Sequence, residues 1–246
     1  MPSSRLPPAD LPAALAHVRW IGGGSGAGKS TIARRLATEH ALRIYDTDAV
    51  MADHGTRISS DDAPYLHAFK AMDMNERWVN RDPVTMLETF HWYRGEGFDP
   101  IVEDLLGLPA EPGVIAEGFR LLPDLVAPLL AAPEHAVWLL PTPAFRAAAF
   151  GDRDPATDFT RRTSDPERAR RNLAERDHLF TDRLRVEVRR LGLAAVEVGS
   201  ATTEGELASR VAGMIGLTTT VQLWSDCLIC GMTSSIRRVS KSGTTS

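Results

Sequence analysis

The stretch Gly23-Gly-Ser-Gly-Ala-Gly28-Lys29-Ser30 decides the fold class of this chain. It satisfies the pattern G-x-x-x-x-G-K-[S/T] at every position. A short apolar run at residues 17–21 precedes it and predicts a strand, and apolar residues recur at helical spacing from Ile32 to Ala37. In such a strand–loop–helix unit, backbone N–H groups surround phosphate oxygens and the helix points the positive end of its dipole at them. The stretch therefore predicts a P-loop that binds a nucleoside triphosphate.

The motif also assigns roles to individual side chains. Lys29 is expected to reach the β- and γ-phosphates as a point charge, and the Ser30 hydroxyl is expected to bind Mg²⁺. The predicted nucleotide-binding residues are Gly23, Gly24, Ser25, Gly26, Ala27, Gly28, Lys29, Ser30 and Thr31.

The rest of the chain alternates apolar runs with helical patterns, which is typical of an α/β fold with a parallel sheet. Further strands are predicted at 42–45, 114–116, 135–140 and 194–198, and helices at 62–78, 84–94, 101–106, 121–130, 142–150 and 204–215. Ser164 and Glu167 have the spacing of a capping box, which predicts a long helix that starts there and ends at Gly192.

These elements suggest one domain at residues 17–216. We expect a flexible segment at 1–16, a helical acceptor-side insert at 49–110, a lid at 151–163 and a disordered tail at 217–246, where Ser, Thr and Gly dominate. The only cysteines are Cys227 and Cys230, in that tail, so no disulfide framework is expected.

Acidic residues follow two of the predicted strands. Asp46 and Asp48 come after the second strand and Glu117 after the third, where the ligand crevice of a parallel sheet lies. Asp46 and Glu117 are candidate Mg²⁺ contacts, directly or through water, and Asp48 is a candidate base for an acceptor hydroxyl. The alternatives are a helix cap at Asp48 and a turn acid at Glu117.

Arginines supply the opposite charge. Arg153, Arg161 and Arg162 lie on a predicted loop between two helices, where guanidinium groups could stabilise a transferring phosphoryl group; the alternative is a solvated surface. Arg94, in an aromatic stretch of the insert, and Arg120, just after Glu117, are candidate acceptor contacts.

Together, these features resemble the nucleoside-monophosphate-kinase-like P-loop kinases, which include shikimate-, gluconate- and nucleoside-kinase types and the chloramphenicol phosphotransferase type. The resemblance covers roughly residues 17–216. It implies a three-layer fold with a five-stranded parallel sheet in the order 2-3-1-4-5, ATP with Mg²⁺, and a lid between strands four and five. It also implies that the loop 199–202 lies beside the adenine. The insert matches no known acceptor motif, so the resemblance does not identify the acceptor.

The expected activity is ATP-dependent transfer of the γ-phosphoryl group to a small-molecule acceptor. The alternative is a nucleotide-binding regulator or an ATPase that acts through a protein partner. The net charge of -4 argues against nucleic-acid binding, and no apolar run approaches the ~20 residues of a membrane span. A cytoplasmic location is therefore expected.

Overall fold

The computed structural model describes residues 11–151 and 158–217, with side chains described up to residue 149 in the first range. Within these ranges, five parallel strands form one sheet in the order β2-β3-β1-β4-β5. The strands are β1 (Val18–Gly23), β2 (Arg43–Asp46), β3 (Val114–Glu117), β4 (Ala136–Pro141) and β5 (Ala194–Val198). The fold class and strand order predicted for the chain are confirmed, and they are consistent with a P-loop-type fold.

Helices cover both faces of the sheet. They are α1 (Leu11–Ala14), α2 (Lys29–Glu39), α3 (Met51–Arg57), α4 (Pro64–Ala71), α5 (Pro83–Thr89), α6 (Asp99–Leu106), α7 (Pro123–Val126), α8 (Pro143–Gly151), α9 (Pro166–Leu191) and α10 (Glu204–Met214). Alternate strand residues point to opposite faces. Ile21 packs with α2 and α10 on one face, and Trp20 packs with α9 and the insert on the other. The domain therefore has three layers with two apolar cores.

The insert is more broken than its sequence pattern suggests. The single helix predicted at 62–78 is wrong, because α4 ends at Met72, whose backbone is extended, and a π-helical turn follows at Glu76–Asn80. The Asp73 carboxylate accepts from the Glu76 N–H at 2.8 Å, so this side chain starts a new helical turn.

The helix predicted at 84–94 is divided in the same way. Here α5 ends at Phe90, whose backbone is extended, and a 3₁₀ turn follows at His91–Arg94. This 3₁₀ turn directs the aromatic side chains at 90–93 inward, so that they are buried against the core of the sheet. The helix α3, which has no periodic signal in the sequence, also belongs to the insert.

The capping box predicted at the start of α9 is also wrong. The N-cap is Asp165, whose carboxylate accepts from the Arg168 N–H at 2.9 Å, and Pro166 occupies the first helical position. Ser164 instead donates its N–H to Asn75 Oδ1 at 2.7 Å, which ties this end of α9 to the insert.

The ends of the described chain contact the domain. Leu15, which follows α1, is 1% exposed and lies in the core on the α9 face, so the N-terminal segment joins the domain before residue 17. At the other end, Leu217 packs against the core on the α2 face. The predicted disordered tail lies outside the described residues from 218 onward, as do residues 1–10.

Candidate functional site

The P-loop connects β1 to α2 at the carboxyl edge of the sheet. The Gly24 N–H donates to Leu139 O at 3.1 Å, and the buried Ala27 packs in the core with α2, so both ends of the loop are anchored. Gly28 is the N-cap of α2 with φ 79°, a left-handed conformation that favours glycine, and it provides no side-chain cap. The N–H groups of the first turn of α2 are thus uncapped by a side chain and suited to bind an anion.

Lys29 lies beside this loop. Its side chain is largely buried, and Nζ donates to Gly24 O at 2.9 Å. Its charge also acts on the carboxylates of Asp48 and Glu117. The lysine is therefore held between the loop and the acids that follow β2 and β3.

Glu117 connects the loop to the sheet. It ends β3, lies next to Asp46 of β2 in the register of the sheet, and is 2% exposed. Burial raises the pKa of its carboxyl, while a hydrogen bond from the Ser30 hydroxyl and the charge of Lys29 partly offset this effect. The side chains of Ser30 and Glu117, predicted separately as Mg²⁺ contacts, are thus in direct contact.

Gly118, next to this acid, permits the close packing of β3 on the segment after β2. Its φ is 148°, and a Cβ at this position would lie 1.7 Å from Thr47 Oγ1. Glycine is therefore required here for both conformation and space.

Asp46 and Asp48 have different environments. Asp46 Oδ1 accepts from the N–H groups of Asp48 at 2.8 Å and Ala49 at 3.2 Å, so this carboxylate shapes the turn after β2. The Asp48 side chain is exposed to solvent. Partial desolvation by the surrounding protein nevertheless raises the pKa of its carboxyl, whereas the charges of Lys29 and Arg120 lower it. We call Lys29, Ser30, Asp46, Asp48, Glu117 and the loop 23–28 the P-loop edge.

Arg120 lies next to Asp48 and is 2% exposed. It donates to Thr47 O at 3.0 Å and Gly97 O at 2.6 Å, and its Nη2 is 3.0 Å from His54 Nδ1. Because arginine only donates, His54 Nδ1 accepts, and His54 Nε2–H is left to donate to Asp104 Oδ2 at 2.8 Å. The buried guanidinium is thus fixed from several sides, over the ring of Trp92.

A buried polar cluster that the sequence did not predict lies on the other side of the P-loop. The Tyr93 hydroxyl donates to Asp177 Oδ1 at 3.0 Å and accepts from the Ser25 hydroxyl of the loop. Asp177 Oδ1 also accepts from Arg176 Nε at 3.0 Å and from Nη2 at 2.7 Å. The side chains of α9 and of the insert therefore meet at the P-loop.

Thr181, one turn further along α9, continues this cluster. Its Oγ1 accepts from Arg146 of α8, and a Cβ on Gly24 would lie 2.6 Å from the same oxygen. The sequence contains a signal for this cluster, because Asp177 and Thr181 interrupt the apolar stripe of α9. The apolar residues of that stripe are Leu173, Phe180, Leu184 and Val188. Polar residues on a buried stripe need partners, and these residues have them.

The predicted lid residues are not brought to the P-loop edge by any described contact. Arg161 and Arg162 are exposed on a 3₁₀ turn at Phe159–Arg162. The turn is held by an Arg170–Asp158 ion pair at 2.9 Å and by the ring of Phe159, which lies 5.1 Å from that of Trp78. Arg153 lies outside the described residues.

The described contacts of Arg94 also lie away from the P-loop edge. It is exposed, donates to Glu88 O at 3.0 Å and lies over the ring of Tyr65. It borders a cavity of about 240 Å³ whose lining residues are Tyr93, Arg94, Leu122, Asp124, Phe180, Arg183 and Glu187. These contacts give no support to the prediction that Arg94 binds the acceptor.

Residues 11–151 and 158–217 contain no cluster of three or more His, Cys, Asp or Glu side chains able to hold a metal ion, and no helix long and apolar enough to cross a membrane. The P-loop edge would instead offer Mg²⁺ a hydroxyl and carboxylates that bind through water. This suits Mg²⁺, which retains several waters and takes oxygens from substrate phosphates.

Comparison with models of known protein families gives no match, and comparison with curated proteins gives none either.

Proposed function

We propose that this chain is an ATP-dependent phosphotransferase of the nucleoside-monophosphate-kinase-like type, which moves the γ-phosphoryl group to a hydroxyl or phosphate of a small acceptor. The observation that carries the proposal is the contact of Ser30 with the buried Glu117, beside Lys29 and at the uncapped start of α2. This combination joins phosphate-binding N–H groups, a cation and Mg²⁺-compatible oxygens at one edge of the sheet.

Each residue of the P-loop edge has a role in this proposal. The N–H groups of residues 24–31 bind the phosphates, and Lys29 stabilises the charge on the β- and γ-phosphates. Ser30, with Asp46 and Glu117 acting through water, would hold Mg²⁺, which when bound would neutralise charge on the phosphate oxygens.

Asp48 is proposed as the base, because solvent and hence an acceptor can reach it beside Lys29. Its carboxylate accepts the proton of the acceptor hydroxyl as the new O–P bond forms and the bond between the γ-phosphorus and the bridging oxygen breaks. Arg161 and Arg162, together with Arg153, remain predicted lid residues, since closure over a bound nucleotide would exclude water.

An ATP-consumption assay with Mg²⁺ and pooled acceptors tests this proposal. The pools are nucleosides, nucleotides, sugar acids and hydroxyl compounds of the phenicol and aminoglycoside types. Consumption should depend on an acceptor and fall by about 10²-fold or more in Lys29→Ala, because one charge-stabilising group is removed. Arg34→Ala is the matched control, since Arg34 is exposed on the same helix.

Retention of full activity in Lys29→Ala would contradict the proposed chemistry. Tight ATP binding without turnover on any pool would favour the nucleotide-binding regulator instead.

A further inference from the structure

A cavity of about 240 Å³ lies between the insert, α7 and α9, and we call it the α7–α9 cavity. None of its lining residues belongs to the P-loop edge. Two of them, Arg94 and Asp124, are exposed, so solvent and solutes can enter. The volume is below the roughly 300–1,000 Å³ of pockets for drug-sized ligands, so a ligand of this cavity is small.

Part of the lining is apolar and held in place. The rings of Tyr93 and Phe180 are stacked with their centres 3.7 Å apart, and Leu122 adds a third carbon-rich side chain. The Tyr93 hydroxyl donates to Asp177 Oδ1 at 3.0 Å, so the ring cannot turn away without breaking a buried hydrogen bond. A surface that is ordered before binding reduces the entropy cost of taking up a ligand.

Two cations of the lining lie at the end of the cavity next to α5. Arg94 donates to Glu88 O at 3.0 Å, and Arg183 forms an ion pair with the Glu88 carboxylate. Because both arginines contact the same residue, their guanidinium groups are brought together. Each has further N–H groups that these contacts do not use.

Two acids of the lining, Asp124 of α7 and Glu187 of α9, lie close to each other. Burial and the charge of Asp124 raise the pKa of the Glu187 carboxyl, whereas the charges of Arg183 and Arg190 lower it. Among the residues that the structure describes, neither carboxylate accepts a hydrogen bond or forms an ion pair. The cavity therefore presents both signs of charge without pairing its own acids with its own arginines.

We propose that the α7–α9 cavity binds a small zwitterion, an α-amino acid with an apolar side chain, at a site separate from the P-loop edge. The ammonium group of the ligand binds Asp124 and Glu187, and its carboxylate binds Arg94 and Arg183. The side chain of the ligand packs on the apolar part of the lining. A molecule with a single charge would leave one pair of side chains without a partner, so the cavity selects for ligands that carry both charges.

Calorimetric titration of the full chain tests this selectivity. L-Leucine is the zwitterionic probe, isoamylamine is the same molecule without the carboxylate, and isocaproate is the same molecule without the ammonium group. L-Leucine should bind at least about tenfold more tightly than either analogue, because each analogue lacks one set of charge-assisted hydrogen bonds. An analogue that binds as tightly as L-leucine, or the absence of saturable L-leucine binding, would overturn the inference.

Variants of α9 locate the probe. Glu187→Gln should weaken L-leucine at least about tenfold, because the ammonium group loses a carboxylate. Glu175→Gln, at an exposed position of the same helix, should change the affinity less than about twofold, because a distant exposed charge is screened. If Glu187→Gln does not fold, Asp124→Asn takes its place, since Asp124 is exposed and its replacement disturbs no described hydrogen bond. Unchanged affinity in the cavity variant, or equal losses in it and Glu175→Gln, would contradict binding at this site.

The result does not depend on the proposed phosphotransferase function, because no nucleotide or acceptor is present in the titrations. Selective L-leucine binding by a chain that transfers no phosphoryl group would leave this inference intact and refute the kinase. Phosphoryl transfer by a chain that does not distinguish L-leucine from its analogues would do the reverse.

Discussion

The P-loop edge and the buried guanidinium groups of Arg120 and Arg176 are positioned in different ways. The P-loop edge uses backbone N–H groups at the start of α2 and side chains at or just after the ends of β2 and β3. Arg120 lies in the loop after β3 and Arg176 in the middle of α9, and each guanidinium is buried over an aromatic ring. The first arrangement follows from a local motif and the register of the sheet, whereas the second exists only once distant elements pack. The comparison indicates that the geometry of the P-loop edge is encoded locally, whereas the burial of the two arginines depends on tertiary packing.

The largest expected effect comes from removing the proposed base. Asp48→Asn should lower kcat for phosphoryl transfer by about 10²- to 10⁴-fold, because the acceptor hydroxyl loses its general base. ATP affinity should change little, because the phosphate-binding groups stay in place. Steady-state kinetics with varied ATP measure both. Asp53→Asn, on the neighbouring helix α3, is the control, and an unchanged kcat in Asp48→Asn would remove Asp48 from the mechanism.

The second prediction concerns the buried ion pair between Arg176 and Asp177 of α9. Asp177→Asn should reduce the free energy of unfolding by about 3–5 kcal/mol, because it leaves the buried Arg176 charge without its carboxylate. Glu167→Gln breaks the exposed pair with Arg171 on the same helix and should cost no more than about 1 kcal/mol. Urea unfolding of both variants measures this difference. Similar losses of unfolding free energy in the two variants would show that burial does not determine the cost of breaking an ion pair.

The third prediction tests the tight packing at the P-loop edge. Gly118→Ala should destabilise the fold by about 2–4 kcal/mol, because it combines a strained φ with overlap against Thr47. Adding Thr47→Ala should recover part of this loss by removing the overlapping oxygen. Gly213→Ala, in the last turn of α10 with open space around it, should instead stabilise by up to about 0.5 kcal/mol. A loss in Gly118→Ala no larger than that of an ordinary surface variant would contradict the packing argument.

The smallest effect concerns the pH dependence of stability. Burial, with the charges of Arg120, Lys70, Arg176 and Arg77, lowers the pKa of His91 from 6.5 to about 3. Between these values the unfolded chain binds a proton at His91 that the native chain does not. Native stability should therefore be lost as the pH falls below about 6.5, with a slope of up to about 1.4 kcal/mol per pH unit from this group.

Replacing His91 checks that contribution. His91→Phe should flatten the dependence between pH 6.5 and about 4, measured as the free energy of urea unfolding at each pH. His178→Gln, at a partly exposed position of α9, is the control, because it removes a histidine and keeps His91. An unaltered slope in His91→Phe would show that His91 is protonated in the native state as readily as in the unfolded one.

The fold was largely predictable because its signals are periodic and local. Apolar runs marked the five strands of the described sheet, and the motif fixed the join of β1 to α2. Helix boundaries in the insert were not predictable from periodicity, since the Asp73 cap and the extended Phe90 override it. The start of α9 was misassigned by one residue because Ser164 and Asp165 are both good caps, and Pro166 was the signal that distinguishes them.

The candidate site likewise contains contacts that could be predicted from the sequence and contacts that could not. Contact between Ser30 and Glu117 could be anticipated, because neighbouring parallel strands end at one edge of the sheet. Arg176 and Asp177 are adjacent in sequence on a charged helix, and their burial depends on how α9 packs against the insert. The residues of the P-loop edge could thus be predicted from the sequence, whereas the burial of Arg176 and Asp177 required the structure.

Transfer of labelled phosphate from ATP to an acceptor is the decisive test of the proposed phosphotransferase function. The full chain is incubated with Mg²⁺, ATP labelled at the γ-phosphate and pools of hydroxyl compounds with or without a carboxylate or phosphate group, and the products are separated. We predict label in a small organic product from at least one acceptor pool, and its loss in Lys29→Ala. Label that stays in ATP or appears only as inorganic phosphate, with every pool and with ATP bound, would contradict it.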